Sequence, residues 1–419
     1  MIAKSMNITG IQFGWIASIM AVGAACSQIL IAIFMDLAGR RWSFVIFSAL
    51  TVSSWVVLIV LNNFYGLIAG RFLLGLFAGG FCVVAPTYIA EITHKSIRGA
   101  VSVGFQLLLT IGILYSYIFC AFKNLWALNL CCIVPPIVVL VAFVFLKETP
   151  VYLMKNNNES DAVKVLQFYR GKDYDVTQEM NEIKLLTAKD DSKFCRALKK
   201  KSCIKAFLML LGMHVVQQLS GINAVMFYAE SIFMDTHTFV DACLSQVVLG
   251  IVQVLATGLS AAIVDRVGRK ILWYVSLFIM AVCLILVGIY FQILANDEEI
   301  AKRIDLLPVF SIFIYIIGFS LGCGPLPWVM IGELIPTRVK AFVAMTIAAL
   351  NWMLAFVISL TYPILKDIMG NYVVFYMYGV VSVLGIVFVW YCVIETKNKS
   401  LKEIQEQLEA KNDEKEIKK

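Results

Sequence analysis

Eleven runs of about twenty apolar residues, separated by charged loops, constrain this chain more than any other feature of its sequence. A helix needs roughly 20 apolar residues to cross about 30 Å of hydrocarbon, whereas barrel strands alternate over about ten residues. The residues are 60% hydrophobic and 15% charged, whereas about 25% are charged in soluble domains. The sequence therefore predicts an all-α membrane protein with eleven spans. The predicted spans are 11–35, 44–61, 65–89, 100–121, 125–146, 206–229, 242–264, 271–294, 307–332, 341–365 and 371–394.

The lysines and arginines of the loops predict the orientation of these spans, because basic residues accumulate on the cytoplasmic side. If segment 36–41 is cytoplasmic, nearly all the Lys and Arg outside the spans fall on that same side. The C-terminal tail is then cytoplasmic, and we expect the plasma membrane as the location. The net charge of +7 is mostly a topology signal and leaves no soluble basic face for a nucleic acid. Asn7-Ile8-Thr9 falls on the outer side, where Asn7 is a candidate for glycosylation.

The eleven cysteines lie mostly inside the predicted spans and form no C-x-x-C pair. Such cysteines usually act as small buried hydrophobic groups. The three histidines are far apart along the chain, and an enzyme would need convergent nucleophilic, basic or metal-binding groups. We therefore expect no enzyme, no metal and no cofactor, and the sequence leaves the oligomeric state open.

An internal repeat divides the chain into two halves. Three signals recur in the same order: Asp36–Arg41 and Asp265–Lys270, Pro86…Glu91…Arg98 and Pro327…Glu333…Arg338, and Glu148-Thr149-Pro150 and Glu395-Thr396-Lys397. The repeat predicts two pseudo-symmetric helical bundles. The predicted divisions are an N-terminal bundle of five spans at 1–146, a cytoplasmic linker of short amphipathic helices at 147–202, a C-terminal bundle of six spans at 203–394, and a cytoplasmic tail at 395–419.

The charged members of the repeat lie at one depth, where they can pair into two networks that close one side of the protein and break when it opens. Plain anchoring by positive charge would need the arginines but not the repeated carboxylates. The predicted network residues are Asp36, Arg40, Arg41, Glu91, Arg98, Glu148, Asp265, Arg269, Glu333, Arg338 and Glu395.

Polar side chains deep inside the spans indicate function, because each unpaired polar group in hydrocarbon is costly. They cluster in Q-Q-L-S-G-I-N at 217–223 and recur at Gln106, Gln253, Trp328 and Asn351. Amides both donate and accept hydrogen bonds, so they suit the hydroxyls of a neutral polyol, while hydrogen bonds between helices are the structural alternative.

The helical geometry of this cluster makes a further prediction. At 100° per residue, His214, Gln217, Gln218, Gly221 and Tyr228 share one face. Asn223 lies about 140° from Gln218 on an ideal helix. If Asn223 shares a cavity with Gln218, the helix must break near Ser220-Gly221.

The set D-x-x-G-R-R, P-x-Y-x-x-E-I…R-G, E-T-P, Q-Q-L-S-G-I-N, D-R-x-G-R-K, G-P-x-P-W and E-T-K resembles the sugar-porter branch of the major facilitator superfamily, from about residue 11 to 405. Within it, the chain looks most like the insect facilitated trehalose transporters and the facilitative glucose transporters. The resemblance implies the major facilitator fold and transport of a neutral sugar, trehalose or a hexose such as glucose, by alternating access.

The resemblance also assigns residues. By likeness to the family, the sugar-contacting positions are Gln106, Gln217, Gln218, Asn223, Gln253, Phe319, Trp328 and Asn351. Tyr228 matches the outer-gate tyrosine, for which an interfacial aromatic belt is the alternative. Ala355 stands where the family carries a second asparagine, and Ser320 stands where some glucose transporters carry a glutamate.

The family has twelve spans, six per half, and this chain is expected to lack the first of them. In proton-coupled members Arg71 would pair with an aspartate of that span, which leaves proton coupling open. No Asp or Glu lies in the middle of the eleven predicted spans, so the expected mode is facilitated diffusion, with proton symport as the alternative. A non-transporting sugar sensor or a truncated inactive form is the other alternative, because it would share every motif.

Overall fold

The computed structural model describes residues 9–61, 63–94, 98–122, 124–172, 174–187, 191–235, 241–397, 399 and 401–410, and within them the regular structure is helical. The first five helices correspond to the five predicted N-terminal spans. They are α1 (Gly10–Leu37), α2 (Gly39–Val60), α3 (Phe64–Ile92), α4 (Arg98–Cys120) and α5 (Leu125–Phe145). Four short helices follow in the predicted linker: α6 (Pro150–Lys155), α7 (Glu159–Arg170), α8 (Thr177–Thr187) and α9 (Asp191–Leu198).

The remaining helices correspond to the six predicted C-terminal spans and the tail. They are α10 (Lys201–Leu219), α11 (Ile222–Asp235), α12 (Ala242–Val267), α13 (Arg269–Asn296), α14 (Glu298–Arg303), α15 (Leu306–Gly318), the π-helix π1 (Phe319–Cys323), α16 (Leu326–Leu334), α17 (Thr337–Met369), α18 (Asn371–Cys392) and α19 (Leu401–Ala410). Two of the predicted spans are thus interrupted, between α10 and α11 and at π1.

Ten helical segments in the described part of the chain are long and apolar enough to cross a membrane, when α10–α11 and α15–α16 are each taken as one. A shorter apolar helix, Gly104–Cys120, lies where the sequence predicts the fourth span. The chain is therefore an integral membrane protein, as the sequence predicts.

The chain forms two compact units. The first holds Ile19–Leu108 and Asn124–Asp191, and the second holds Thr9–Ser18, Leu109–Lys123 and Ser192–Lys419. The domain boundaries predicted above follow the repeat in the sequence and stay predictions. Each unit is described by itself below.

The first unit packs through small residues and aromatic rings. A Cβ added to Gly23 would clash with the Phe72 carbonyl, and one added to Gly75 would clash with the Met20 carbonyl. The backbones of α1 and α3 therefore approach each other more closely than a side chain would allow, as is common between spanning helices. Elsewhere in this unit the rings of Phe44 and Phe143 stack 3.8 Å apart.

The linker helices dock on this unit through two polar contacts. Tyr88 of α3 donates its hydroxyl to the Lys147 carbonyl at 2.7 Å. Arg170, at the end of α7, donates to the Ile92 carbonyl at 2.8 Å and pairs with Glu179 of α8 at 2.7 Å. The linker is thereby held against the end of α3 that carries the Pro86…Glu91 signal.

The core of the second unit is built from large side chains that are almost fully buried. Trp273, Tyr290, Tyr315, Tyr362 and Phe375 are each less than 2% exposed. The last of these stacks on Phe291, so that α13 and α18 lie face to face. This packed core holds the two interrupted spans in place.

Candidate functional site

The span that contains Q-Q-L-S-G-I-N is broken where the sequence predicts. Helix α10 ends at Leu219, Gly221 has a φ of +85°, and α11 starts at Ile222. A positive φ is strained for any residue with a Cβ, and a Cβ here would also overlap the ring of Tyr378. The break turns Asn223 back toward α10, where its amide donates to the side-chain oxygen of Gln218.

The amides around the break form a chain of hydrogen bonds. Gln218 accepts from Asn223 and donates from Nε2 to Oδ1 of Asn351 at 2.8 Å. Three helices, α10, α11 and α17, are therefore joined through three amide side chains. Gln218 is 6% exposed and Asn351 is 4% exposed, and a buried polar group is usually hydrogen-bonded in this way.

The second interrupted span lies beside the first. A π-helix leaves backbone groups without their α-helical partners, and the neighbouring helices supply partners here. Ser276 of α13 donates to the Gly318 carbonyl at 2.6 Å and accepts from the Cys323 amide at 2.8 Å. On another side of π1, Ser260 of α12 donates to the Leu321 carbonyl at 2.8 Å.

Gln217 contributes to the same backbone. Its Nε2 donates to the carbonyls of Cys323 at 2.8 Å and Gly324 at 2.9 Å. Both donor hydrogens of this amide thus bind backbone carbonyls of the G-C-G-P segment, which is the role of interhelical glue that the sequence left as the alternative. The two broken spans are consequently tied to each other through Gln217.

The other predicted sugar-contacting residues differ in exposure. Gln253 of α12 is 6% exposed, and its Oε1 has no hydrogen-bond partner among the described residues. Trp328 of α16 is 37% exposed in the isolated chain. Phe319 is half-buried at the start of π1, and Gln106 is half-buried on α4 in the first unit.

Three further residues from the sequence analysis also lie in the second unit: Ser320, Ala355 and Tyr228. Ser320 is 3% exposed, and its hydroxyl has no partner within the described part of the chain. Ala355, in place of the family's second asparagine, is 1% exposed. Tyr228 is 5% exposed, packs 5.0 Å from Tyr362 and donates its hydroxyl to the Ser359 carbonyl at 2.9 Å. Tyr228 is therefore buried and hydrogen-bonded, whereas belt residues face the membrane interface, and its role at an outer gate stays a prediction.

In the first unit, three of the predicted network residues, Arg40, Glu91 and Glu148, lie in one group of hydrogen bonds. Arg40 binds Oε1 of Glu91 through Nε at 3.1 Å and through a terminal nitrogen at 2.8 Å. Glu148 accepts the backbone N–H groups of Arg40, Arg41 and Thr149. The Thr149 hydroxyl donates to the second oxygen of Glu91 at 2.5 Å and closes the ring.

The network of the second unit repeats this pattern. Arg269 binds Oε1 of Glu333 at 3.1 Å and 2.9 Å, and the Thr396 hydroxyl donates to Oε2 of Glu333 at 2.5 Å. Glu395 accepts the N–H groups of Arg269, Lys270, Thr396 and Lys397. The repeat seen in the sequence is therefore a repeat of hydrogen bonds.

The remaining predicted network residues lie elsewhere. Asp36 pairs with Lys155 of α6 at 2.7 Å rather than with an arginine of the network. The guanidinium of Arg41 donates to the carbonyls of Phe143 and Val144, at the end of α5. The side chains of Arg98, Asp265 and Arg338, and the whole of Asn7, lie outside what the structure describes.

Sequence reasoning missed several residues that shape this region. Ser260 and Ser276 hold π1, although each is a small polar residue in an apolar run. Lys366 of α17 pairs with Asp235, the last residue of α11, at 2.5 Å. Since α11 continues past the predicted end at residue 229, Glu230 also lies inside a candidate span. In the described residues no group of three His, Cys, Asp or Glu side chains is placed to hold a metal.

Comparison with known proteins shows the family of the chain. The family profile described as "Sugar (and other) transporter" matches residues 3–408. The chain is 33% identical over 408 residues to a protein named facilitated trehalose transporter Tret1-2 homolog of Drosophila simulans, covering 96% of this chain and 83% of the relative. It is 32% identical over 415 residues to the facilitated glucose transporter member 8 of solute carrier family 2 from Bos taurus, covering 95% and 85%.

Solved structures show the same fold. The inward-open xylose transporter XylE from E. coli superposes with a TM-score of 0.78 at 22% identity, over 96% of this chain and 91% of that one. The proton:xylose symporter XylE bound to 6-bromo-6-deoxy-D-glucose gives 0.77, also at 22% identity, over 97% and 93%. The predicted major facilitator fold is confirmed by these structures, and the prediction of a transporter rather than an enzyme is confirmed by the relatives. The chain belongs to the sugar transporter family.

Proposed function

We propose that this chain moves a neutral sugar, trehalose or a hexose such as glucose, across its membrane by facilitated diffusion with alternating access. The named relatives support the substrate class. The two hydrogen-bond networks support alternating access, because each consists of charge pairs that can form on one side and separate when that side opens.

One observation carries the proposal: two spans of the second unit lose their α-helical continuity next to each other, and the amide of Gln217 bridges the two breaks. Irregular backbone at membrane depth is tolerated only where protein or a polar cavity satisfies it. Interrupted helices are also where transporters bind substrate near the middle of the membrane. Gln217 and Gln218 stand at this junction and tie it to π1 and to α17.

The proposed sugar-contacting residues remain Gln106, Gln217, Gln218, Asn223, Gln253, Phe319, Trp328 and Asn351. Since Gln218 is bonded to both Asn223 and Asn351, a sugar that binds there must exchange its own hydroxyls for these amide contacts. Such an exchange is nearly neutral in energy for each bond. It therefore makes binding reversible, as transport requires.

The proposal includes the arrangement of five spans followed by six, with both charge networks and the C-terminal tail on the cytoplasmic side of the plasma membrane. The concentration of basic loops on one side supports that orientation. Labelling of a cysteine introduced into the tail, which has none at 395–419, with reagents that do and do not cross membranes, tests it.

Uptake into proteoliposomes tests the function. The purified chain is reconstituted, and entry of labelled glucose and labelled trehalose is measured with and without a proton gradient, against liposomes without protein. We expect uptake of one sugar that saturates and does not depend on the gradient. Sugar binding without uptake would favour the sensor or the inactive form. A version with one additional span before residue 1 would then distinguish them, because only the inactive form should gain uptake.

A second measurement assigns the site. We expect Gln218→Ala and Asn223→Ala each to weaken sugar binding about tenfold, or about 1.4 kcal/mol. Gln292→Ala is the matched control, because this amide accepts from Tyr376 at an exposed position away from the breaks. If Gln218→Ala and Asn223→Ala fail to fold while the Gln292→Ala control folds, both residues serve interhelical bonding instead.

A third measurement addresses proton coupling. If uptake responds to the gradient, Glu230 is the carboxyl to test, because it lies inside the candidate span that α10 and α11 form. Glu230→Gln would then abolish the response, and Glu299→Gln, at an exposed position on the short helix α14, would not. If uptake by the Glu230→Gln protein still depended on the proton gradient, Glu230 would be excluded as the coupling site.

A further inference from the structure

Two cysteines and a glutamate come together where the end of α4 meets α11 and α12 in the second unit. Cys120 is the last residue of α4, and Cys243 lies in the first turn of α12. The Sγ atom of Cys243 is 4.0 Å from Oε1 of Glu230 on α11. Cys120 lies within electrostatic range of both Glu230 and Cys243. The three side chains therefore form one cluster, and the proposed function gives no role to its two thiols.

The packing of α4 against α12 places the two cysteines at nearly the same height. A Cβ added to Gly250 of α12 would lie 3.2 Å from the Cα of Leu114, so the two helices approach closely there. Cys120 lies six residues after Leu114, and Cys243 lies seven residues before Gly250. At about 1.5 Å per residue, these steps are about 9 and 10.5 Å along antiparallel helices. The cysteines therefore differ in height by only about 1.5 Å.

Helix α11 supports the same register. Tyr117 of α4 donates its hydroxyl to the Met226 carbonyl of α11 at 3.3 Å. Cys120 and Glu230 each lie about one turn further along their helices. Contacts among three helices, rather than a loop, thus hold the two cysteines near each other.

The surroundings of the two thiols suit a disulfide. A disulfide joins cysteines whose Cα atoms are about 4.4 to 6.8 Å apart, which requires helices packed without large side chains between them. Gly250 supplies that close approach. Both cysteines are thiols in the structure, and Cys120 is half-buried at a helix end, where a small oxidant can reach it. Cys243 is 8% exposed.

The compartment matters as much as the geometry. On the proposed orientation, α4 begins on the cytoplasmic side and ends at Cys120 on the outer side. Disulfides persist in oxidising extracellular compartments and are rare in the cytosol. The structural alternative is that the Cys243 thiol donates a weak hydrogen bond to Glu230, which needs no second cysteine.

We propose that Cys120 and Cys243 form a reversible disulfide on the outer side and that this bond slows transport. The oxidant is a low-molecular-weight disulfide such as oxidised glutathione. One cysteine thiolate displaces a glutathione thiolate and forms a mixed disulfide, and the second cysteine then displaces the other glutathione. Two electrons pass from the cysteines to the glutathione disulfide, and the two thiol protons leave on the two glutathione molecules. An added thiol reverses both steps.

The bond restrains α4 at its outer end. This helix contributes residues 98–108 to the first unit and 109–120 to the second, and the bond fixes the second segment to α12. Alternating access requires helices to change their packing, so a covalent bond at this end slows the cycle. The effect on transport rests on the proposed function, whereas the formation of the bond does not.

Mass spectrometry tests the bond. The purified full chain in mixed micelles is treated with oxidised glutathione, its remaining thiols are alkylated, and its proteolytic peptides are compared with and without dithiothreitol. We expect a peptide that joins Cys120 to Cys243 in the wild type and in Cys132→Ser, the matched control at a half-buried cysteine of α5. Cys120→Ser and Cys243→Ser should lack it. Alkylation of both cysteines after the oxidant, or a bond from Cys120 to Cys132, would overturn the proposal.

Uptake measures the consequence. The same oxidised samples are reconstituted, and entry of labelled glucose and labelled trehalose is followed before and after dithiothreitol. Because conformational steps limit many such cycles, we expect oxidation to slow wild-type uptake at least about fivefold and dithiothreitol to restore it. Oxidation should leave uptake by Cys120→Ser and Cys243→Ser unchanged. Unchanged wild-type uptake beside a confirmed bond would overturn the restraint alone. Absence of uptake by the reduced wild type would overturn the proposed function, while the peptides still decide whether the bond forms.

Discussion

The two charge networks differ in one backbone hydrogen bond, and the difference comes from one residue type. Glu148 accepts three backbone N–H groups, and Glu395 accepts four. The fourth donor is the N–H of Lys397, at 2.9 Å. The equivalent position in the first unit is Pro150, which has no N–H to give.

The pKa values of the two carboxyl groups are shifted in opposite directions. Burial raises the pKa of Glu148 above its usual value of 4.5, and three backbone donors do not offset it. Burial also acts to raise the pKa of Glu395, but its four backbone donors outweigh that effect, so this pKa is lowered. Hydrogen bonds to a carboxylate stabilise its charged form, whereas burial penalises it.

Pro150 has a compensating use. It begins α6, which Thr149 caps by accepting the Tyr152 N–H at 3.3 Å. No helix follows Glu395 directly, since residues 393–396 have no regular structure. The first network is thus joined to the linker helices, at the cost of one hydrogen bond to its carboxylate.

The largest expected difference comes from removing the arginines. In Arg40→Ala, Glu91 is left as an unpaired carboxylate that is 12% exposed, whereas Arg269→Ala leaves Glu333 at 25% exposed. We expect a loss of about 3–5 kcal/mol for Arg40→Ala, as for other broken buried pairs, and a smaller loss for Arg269→Ala. The free energy of unfolding in mixed micelles measures both, and an equal or larger loss for Arg269→Ala would contradict the burial argument.

The threonines should separate the networks next. Each hydroxyl donates to a glutamate at 2.5 Å, but only Thr149 also caps a helix. We expect Thr149→Val to lower the free energy of unfolding by about 2–3 kcal/mol, and Thr396→Val by about 1–2 kcal/mol, since a cap contributes about 1 kcal/mol. Identical losses would show that the cap of α6 adds nothing.

The turn glycines give a smaller effect. Gly39 has a φ of +86° and Gly268 a φ of +101°, so an alanine at either position costs about 1–2 kcal/mol of backbone strain. A Cβ at Gly39 would also overlap Glu148, while one at Gly268 would lie 2.9 Å from Glu395. Gly39→Ala should therefore lower the thermal unfolding temperature more than Gly268→Ala, and the reverse order would contradict this description of the turns.

The pH dependence should be the smallest effect, and its sign differs between the units. A raised pKa at Glu148 gives stability that is present below the usual carboxyl value and is lost as the pH rises through the raised pKa. A lowered pKa at Glu395 gives stability that is present above the usual value and is lost as the pH falls through the lowered pKa. On acidification, we expect the unfolding temperature of Glu148→Gln to fall more steeply than that of the wild type, and that of Glu395→Gln to fall less steeply. Changes of the same sign in both variants would contradict the opposite pKa shifts of the two carboxyl groups.

The sequence predicts the helices of this chain because apolar length is a local property. The predicted span 125–146 corresponds to the helix Leu125–Phe145, and the predicted span 271–294 corresponds to the helix Arg269–Asn296. The break at Gly221 could also be predicted, because the angle between Gln218 and Asn223 on one helix follows from spacing alone. The pairing of Arg40 with Glu91 and of Arg269 with Glu333 follows the repeat in the sequence, and the role of these pairs in closing one side stays a prediction.

Contacts between helices explain what the sequence did not predict. Ser276 holds both ends of π1 from another helix, and only the packed arrangement brings its hydroxyl within 2.6 Å of the Gly318 carbonyl. For Gln217 the sequence left ligand binding and interhelical bonding open, and its donors proved to be engaged by the Cys323 and Gly324 carbonyls.

The π-helix has a consequence for how the second unit can move. Relative to an α-helix it contains one extra residue in a turn, so returning it to α-helical form would turn the following helix by about 100° and move it away along the helix axis by about 1.5 Å. Helix α16 carries Trp328 near one end and Glu333, the partner of Arg269, near the other. A one-residue change of register at π1 would therefore move the indole of Trp328 and strain the Arg269–Glu333 pair in the same step, because both lie on one rigid helix.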